Sequence, residues 1–196
     1  MQENNRKKLV LGIDFDNTII SYDKVFYSIA LKKKLVKKKI QKKKTIIKKE
    51  IIKYSNEDEW TRIQGLAYGK YISKAKQYPN ALTILKNLSL KYKLYLISHK
   101  TKKPFIGKNY NLRKKAMMWL RKNNFINSIE SPFNSKDIYF ENTVKKKIQR
   151  IKKLKCNIYI DDLKAILSML PNKIKKIHFQ EIPKKNWLSI RKKLLS

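Results

Sequence analysis

The sequence predicts an α/β protein: a parallel β-sheet with helices on both faces, interrupted after its first strand by an all-helical insert. Five short apolar strands alternate with helices along the chain, which is typical of parallel sheets because each parallel connection crosses over the sheet. A lysine-rich stretch with helical spacing of apolar residues separates the first strand from the second. We therefore predict a core of residues 1–22 and 79–196 and a small helical insert of residues 23–78.

The first strand and the insert differ in the period of their apolar residues. Residues 8–15 form a short apolar run with β-branched side chains that ends in acidic residues, as expected for a buried strand. From about residue 27 to 77, apolar residues recur at helical spacing among lysine triplets, and residues 59–74 are predicted as one amphipathic helix. One stripe of that helix contains Trp60, Gln64 and Tyr68. Packing inside the insert is its expected role, with substrate contact as the alternative.

The elements after Pro79 alternate regularly. The predicted strands cover residues 92–97, 137–140, 157–160 and 173–179. The predicted helices cover residues 80–90, 112–122, 143–154, 163–170 and 185–195. Together with the first strand, these segments predict one sheet of parallel strands that is covered on both faces.

The composition excludes several classes of protein. The single cysteine, Cys156, excludes an intrachain disulfide and a cysteine-rich zinc site, and it fits a reducing cytoplasm. The sequence has four glycines, and their spacing excludes the Gly-x-Gly-x-x-Gly fingerprint of dinucleotide-binding folds. No apolar run approaches the ~18 residues that a membrane span needs. We therefore expect a cytoplasmic protein with no membrane partner.

The candidate chemical groups directly follow three of the predicted strands. The first strand ends in Asp14-Phe15-Asp16-Asn17-Thr18, the second is followed by Ser98-His99-Lys100, and the fourth by Asp161-Asp162. Ligands of parallel sheets bind beyond the carboxyl ends of the strands, so these groups are expected to converge. Four carboxylates at close range repel one another unless a cation is present, and oxygen ligands suit Mg²⁺. The sequence therefore predicts a Mg²⁺ site.

Four parts of the sequence resemble the four motifs of the haloacid dehalogenase-like (HAD) superfamily. In chain order they are LGIDFDNTI, LISHK, a downstream lysine and IYIDDL. The match spans roughly residues 8–22 and 79–180, and the insert resembles the helical cap class of that superfamily. The resemblance implies a three-layer, Rossmann-like core with a small helical cap inserted after the first strand. Asn17 stands where the motif more commonly has glycine.

The resemblance also implies roles for the matching residues. Asp14 would be the nucleophile that forms an aspartyl-phosphate and a Mg²⁺ ligand. Asp16 would protonate the leaving oxygen and then activate water, with its backbone carbonyl on the metal. Ser98 would donate a hydrogen bond to the transferred phosphoryl group, Lys147 would neutralise its charge, and Asp161 would complete the metal site.

The remaining candidates would surround this centre. Asp162 would bind the metal through water or orient its neighbours. Thr18 would support the loop after the first strand and take part in substrate binding. His99 and Lys100 follow Ser98 directly and are candidates for substrate contact, with a structural hydrogen-bonding role as the alternative for His99.

The active-site lysine has three candidates, which are Lys145, Lys146 and Lys147. Lys147 is preferred because Ile148 and Ile151 mark the buried face of the predicted helix beside it. The other two lysines remain open.

The resemblance implies a Mg²⁺-dependent phosphatase that hydrolyses a small phosphomonoester, such as a sugar phosphate or a nucleotide. Asp16 favours a phosphate ester over a halide, because a halide needs no proton to leave. The alternative is a nucleic-acid-binding protein or a polynucleotide end-phosphatase, suggested by the net charge of +35 and the basic run of residues 32–49. Lysines are spread over the whole chain, arginine is scarce, and no nucleic-acid-binding motif is present. We therefore expect only nonspecific, salt-sensitive attraction to nucleic acids.

Overall fold

The computed structural model describes residues 8–196 and contains the predicted parallel sheet. Its strands are β1 (Val10–Ile13), β2 (Ile20–Ser21), β3 (Lys76–Gln77), β4 (Lys93–His99), β5 (Ile138–Glu141), β6 (Ile158–Asp161) and β7 (Lys175–His178). Five of them form one sheet in the order β5-β4-β1-β6-β7, with every neighbouring pair parallel. The predicted fold class is confirmed.

The helices cover both faces of this sheet. They are α1 (Asp23–Lys32), α2 (Lys44–Tyr54), α3 (Glu57–Tyr68), α4 (Ala81–Lys91), α5 (Leu112–Lys122), α6 (Val144–Lys153), α7 (Lys164–Ser168) and α8 (Trp187–Leu195). Residues of α4, α5 and α8 belong to one apolar cluster, and residues of α6 and α7 belong to a second cluster with the opposite face of the sheet. Among residues 8–196, no helix combines the length and the apolar character that crossing a bilayer requires.

The insert is made of α1, α2 and α3, which pack against one another. It leaves the core at β2 and returns at β3, and these two short strands pair antiparallel, with Ile20 opposite Gln77. The ends of the insert therefore lie side by side at one point of the core. Residues 1–7 of the predicted core lie outside the described residues.

One predicted helix is too long. The amphipathic pattern predicts a helix to residue 74, but α3 ends at Tyr68, and residues Ile72–Lys74 form a separate 3-10 turn. Gly69 follows the last helical residue, and a β-carbon there would lie 2.5 Å from the ring of Tyr110. A glycine is needed because the chain turns against this ring, a contact that helical periodicity does not reveal.

Candidate active site

The candidate residues meet at the carboxyl edge of the sheet. Asp14 directly follows β1, Asp161 is the last residue of β6, Ser98 lies at the end of β4, and Lys147 lies in the first turn of α6. In the sheet, β1 is the central strand; β4 and β5 lie on one side of it, and β6 and β7 lie on the other. The crevice where the strand order reverses is the usual ligand site of such sheets.

Asp14 lies at the centre of a buried network of charged side chains. Its Oδ1 accepts hydrogen bonds from Lys147 Nζ at 2.6 Å and from Ser98 Oγ at 2.8 Å. Lys147 Nζ also donates to Asp161 Oδ2 at 2.7 Å. Within residues 8–196, no donor contacts Asp14 Oδ2, so this oxygen is available to a metal ion or a substrate.

Lys147 is the lysine that contacts this network. Thr143 Oγ1 accepts a hydrogen bond from the Lys146 backbone N–H at the start of α6. Lys147, in the first turn of this helix, and its neighbour Ile148 are both buried. Lys145 and Lys146 are exposed. The spacing of apolar residues in α6 therefore separates one buried lysine from two solvated ones.

Asp16 is held by two donors that sequence reasoning did not assign to it. Tyr22 Oη donates to its Oδ1 at 2.8 Å, and Lys100 Nζ donates to its Oδ2 at 2.7 Å. Lys100 is buried, and its ammonium lies 4.7 Å from the centre of the Tyr68 ring. The predicted substrate-contacting Lys100 thus lines the cavity but is already paired with Asp16. Tyr22 precedes α1 and gives no local sequence signal of this role.

Thr18 and His99 differ in their position relative to the cavity, although both are predicted to bind substrate. Thr18 is fully buried and is not part of the cavity wall, and its backbone carbonyl accepts a hydrogen bond from Trp187 Nε1 at 3.0 Å. The prediction that Thr18 binds substrate is therefore corrected: Thr18 is a buried residue of the loop after β1 that does not reach the cavity. His99 lines the cavity mouth, where its Nε2 lies 3.1 Å from the Asn142 carbonyl oxygen.

The turn after β1 explains the asparagine at the usual glycine position. Asn17 has φ 58°, in the left-handed region, where glycine is favoured and asparagine is the commonest substitute. Its N–H donates to the Ile20 carbonyl at 2.9 Å, which closes the loop that carries Asp16.

Replacing Asn17 with alanine is expected to lower the free energy of unfolding by about 1 kcal/mol, because alanine tolerates the left-handed conformation less well. Asn17→Gly should keep the wild-type value. Urea denaturation measures both, with Asn109→Ala as a control at an exposed loop asparagine outside the left-handed region. Equal losses in the two alanine variants would contradict this explanation of the turn.

Three carboxylates form a group that could hold a cation. Asp14, Asp161 and Asp162 each offer an oxygen within 4.8 Å of the others. Burial, with repulsion from neighbouring carboxylates, raises the pKa of Asp14 to about 7 although Lys147 opposes the shift. Burial and the other two carboxylates raise the pKa of Asp162 to about 8. One ammonium does not compensate three carboxylates, and an all-oxygen donor set of this kind fits Mg²⁺. The Asp16 carboxylate is outside this group.

Magnesium is expected to stabilise the chain more at about pH 8.5 than at about pH 5.5. The raised pKa values mean that the folded, metal-free chain binds more protons than the unfolded chain between these carboxyls' ordinary pKa and about 7 to 8. Stability from these groups is therefore lost as pH rises through this window, and Mg²⁺ replaces the lost protons. Thermal denaturation with Mg²⁺ or EDTA at constant ionic strength measures the effect.

The matched control for this pH dependence is Asp162→Asn, which should reduce the stabilisation by Mg²⁺ at the higher pH. An equal rise of the melting temperature with Mg²⁺ at both pH values would contradict a metal site built from these carboxylates.

A cavity of about 680 Å³ lies between the insert and these carboxylates. Gln64 and Tyr68 of α3 line it, together with Lys44 at the start of α2. Trp60 does not: it is buried inside the insert, where it stacks on Phe26 with ring centroids 4.9 Å apart. Of the three residues predicted to form one stripe of this helix, Trp60 therefore packs inside the insert, whereas Gln64 and Tyr68 lie on the cavity wall.

The comparisons with known proteins concern the fold. No protein-family model and no curated protein matches the sequence. The HAD-hydrolase YfnB from Bacillus subtilis, whose structure is bound to magnesium, has 13% identity and a TM-score of 0.56, with 97% of this chain and 100% of that chain covered. A haloacid dehalogenase-like family hydrolase from Streptococcus pneumoniae has 15% identity and a TM-score of 0.55, with 88% and 85% covered. A haloacid dehalogenase-like hydrolase from Bacteroides fragilis has 17% identity and a TM-score of 0.51, with 82% and 81% covered. The parallel sheet, the inserted helices and these similarities together give the chain the haloacid dehalogenase-like fold.

Proposed function

We propose that this chain is a Mg²⁺-dependent phosphatase that hydrolyses a small phosphomonoester through an aspartyl-phosphate on Asp14. The geometry of Asp14 supports this proposal most directly. Its carboxylate is buried at the end of β1, Lys147 and Ser98 hold one oxygen, and the other oxygen has no donor within residues 8–196. A carboxylate that is fixed in direction and has one free oxygen is suited to attack phosphorus.

The first half of the proposed reaction transfers the phosphoryl group to the protein. A carboxylate oxygen of Asp14 bonds to phosphorus as the bond from phosphorus to the ester oxygen breaks. Asp16 gives that oxygen a proton, so the leaving group departs as an alcohol. Tyr22 and Lys100 contact the two oxygens of the Asp16 carboxylate and fix its position, so the step requires that one of these contacts opens when the substrate binds and that Asp16 carries its proton on the oxygen set free.

The second half releases phosphate. Asp16, now ionised, takes a proton from a water molecule, and the water oxygen bonds to phosphorus while the bond to Asp14 breaks. Inorganic phosphate leaves, and both aspartates return to their starting states. Ser98 and Lys147 lie beside Asp14, where they donate to the transferred group and neutralise its charge.

Asp14, Asp161 and Asp162 would hold Mg²⁺, with the backbone carbonyl of Asp16 as a further ligand. When bound, the metal would neutralise the negative charge of the carboxylates and of the phosphoryl oxygens. The three side chains are near enough to share one ion, and the raised pKa values of Asp14 and Asp162 reflect burial and mutual repulsion that the Lys147 ammonium does not fully offset.

A small phosphorylated metabolite is the proposed substrate, because the cavity of about 680 Å³ lies under the helices of the insert. The net charge of +35 would attract such anions, and added salt should weaken this attraction. We propose a reducing cytoplasm as the compartment, since the single cysteine, Cys156, is a buried free thiol.

The experiment is a phosphate-release screen of the purified chain over metabolite monophosphates, with Mg²⁺ or EDTA. A 5′-phosphorylated oligonucleotide in the same screen tests the polynucleotide end-phosphatase. We expect Mg²⁺-dependent release from one or more small esters. Release from none of them would overturn the proposal, and release from the oligonucleotide alone would favour the polynucleotide function.

A further inference from the structure

Lys44 differs from the two buried lysines of the cavity because no carboxylate in the described part of the chain contacts its ammonium, and Asp16 and Asp162 act on it only at longer range. Lys100 and Lys147 are both paired with motif aspartates at 2.7 Å or less. Within residues 8–196, no carboxylate oxygen lies within 4.0 Å of Lys44 Nζ. Its polar partner is the hydroxyl of Tyr68, at 3.0 Å.

The surroundings of this ammonium are aromatic and partly shielded from water. Lys44 Nζ lies 5.5 Å from the centre of the Phe26 ring, and it approaches Tyr68 at the hydroxyl end of that ring. Its backbone N–H donates to Asp23 Oδ1 at 2.9 Å, which fixes the first residue of α2 against α1. One aromatic ring and one neutral hydroxyl offset only part of the cost of removing a charge from water. An anion in the cavity would complete these surroundings.

The insert contributes further hydrogen-bonding side chains to the wall of this cavity. Thr45, Thr61 and Gln64 line it together with Lys44, and Asp14, Asp16 and Asp162 line it from the core. The phosphoryl end of a substrate would already meet Lys147 at Asp14. The cation of the insert is therefore available to the part of the substrate that leaves.

We propose that Lys44 binds a second anionic group, a carboxylate or a phosphate, on the leaving group of the phosphomonoester. This inference rests on the proposed phosphatase function, and it narrows the substrate class to small phosphate esters with two anionic groups. Lys44 sets specificity by an ionic hydrogen bond that a monoanionic leaving group lacks, with Tyr68 holding the ammonium in place.

The test compares 3-phosphoglycerate with glycerol 3-phosphate, which differ in a carboxylate against a hydroxymethyl group. Binding is measured by calorimetry with Mg²⁺ on the Asp14→Asn variant, so that turnover does not interfere. We expect 3-phosphoglycerate to bind ~10-fold or more tightly than glycerol 3-phosphate, the range of one ionic hydrogen bond. Adding Lys44→Met should bring the two affinities close together, and adding Lys44→Arg should keep most of the preference.

The matched control is Lys42→Met, which removes a positive charge two residues before Lys44, at an exposed side chain that does not line the cavity. It should leave the preference unchanged. Three results would each overturn the role of Lys44. The Asp14→Asn variant could bind the two compounds with equal affinity, it could bind neither measurably, or the preference for 3-phosphoglycerate could survive Lys44→Met. Absence of phosphate release in the screen would instead overturn the phosphatase function, so the two proposals fail separately.

Discussion

Asp14→Asn is expected to reduce phosphate release by at least ~10⁴-fold, because an amide does not replace the carboxylate as the nucleophile. The change should leave the fold intact. Asparagine has nearly the same shape, and its side-chain oxygen still accepts hydrogen bonds from Ser98 and Lys147. It also removes one of three mutually repelling carboxylates, so the metal-free melting temperature should equal or exceed that of the wild type.

Phosphate release and thermal denaturation measure the two effects of this substitution. Asp58→Asn is the matched control, since Asp58 is an exposed residue in the first turn of α3. Asp14→Ala guards against slow deamidation of the introduced asparagine back to aspartate. If both Asp14 variants kept a substantial share of wild-type activity, the nucleophile would have to be another residue.

Lys147→Met is expected to have the largest effect on stability, lowering the free energy of unfolding by about 3–5 kcal/mol near neutral pH. Burial by itself lowers the pKa of Lys147, but Asp14 and Asp161 raise it above its ordinary value, so the side chain is charged in the folded chain. Its removal leaves two buried carboxylates without the ammonium that contacts both of them. Activity should fall by at least ~10²-fold, since the charge beside Asp14 is lost as well.

Urea denaturation of Lys145→Met and Lys146→Met provides the control for this substitution. Both side chains are exposed, so each change should alter the free energy of unfolding by no more than about 0.5 kcal/mol. The loss in Lys147→Met should shrink at about pH 5.5, where the raised pKa of Asp14 allows a proton to replace the ammonium. Equal stabilities of the three variants at neutral pH would show that Lys147 does not compensate these carboxylates.

Much of the fold follows from local pattern. The strands and helices of the core end within about two residues of the predicted bounds, because period and turn residues are local properties. The antiparallel pair of β2 and β3 was not predicted, since each has two residues and neither forms a periodic segment. The end of α3 was also missed, because the need for Gly69 depends on a ring 41 positions further along the chain.

The order of strands and motifs along the chain already places the acidic and hydroxyl groups after β1, β4 and β6 at one edge of the sheet. In a parallel sheet, the carboxyl ends of neighbouring strands lie together whatever the loops do. The sequence also predicts the buried face of α6, because Ile148 and Ile151 mark this face. The position of the buried face then distinguishes Lys147 from its two neighbouring lysines.

The side chains that hold these groups in place are set by tertiary packing. Tyr22 and Lys100 converge on Asp16 from positions 6 and 84 residues away, and Lys44 reaches Tyr68 across the insert. Such contacts depend on how the insert packs over the sheet edge, and no local period records that packing. In a chain with 49 basic residues, the sequence shows where positive charge is abundant, whereas burial and the nearest partner decide which few of those charges take part in chemistry.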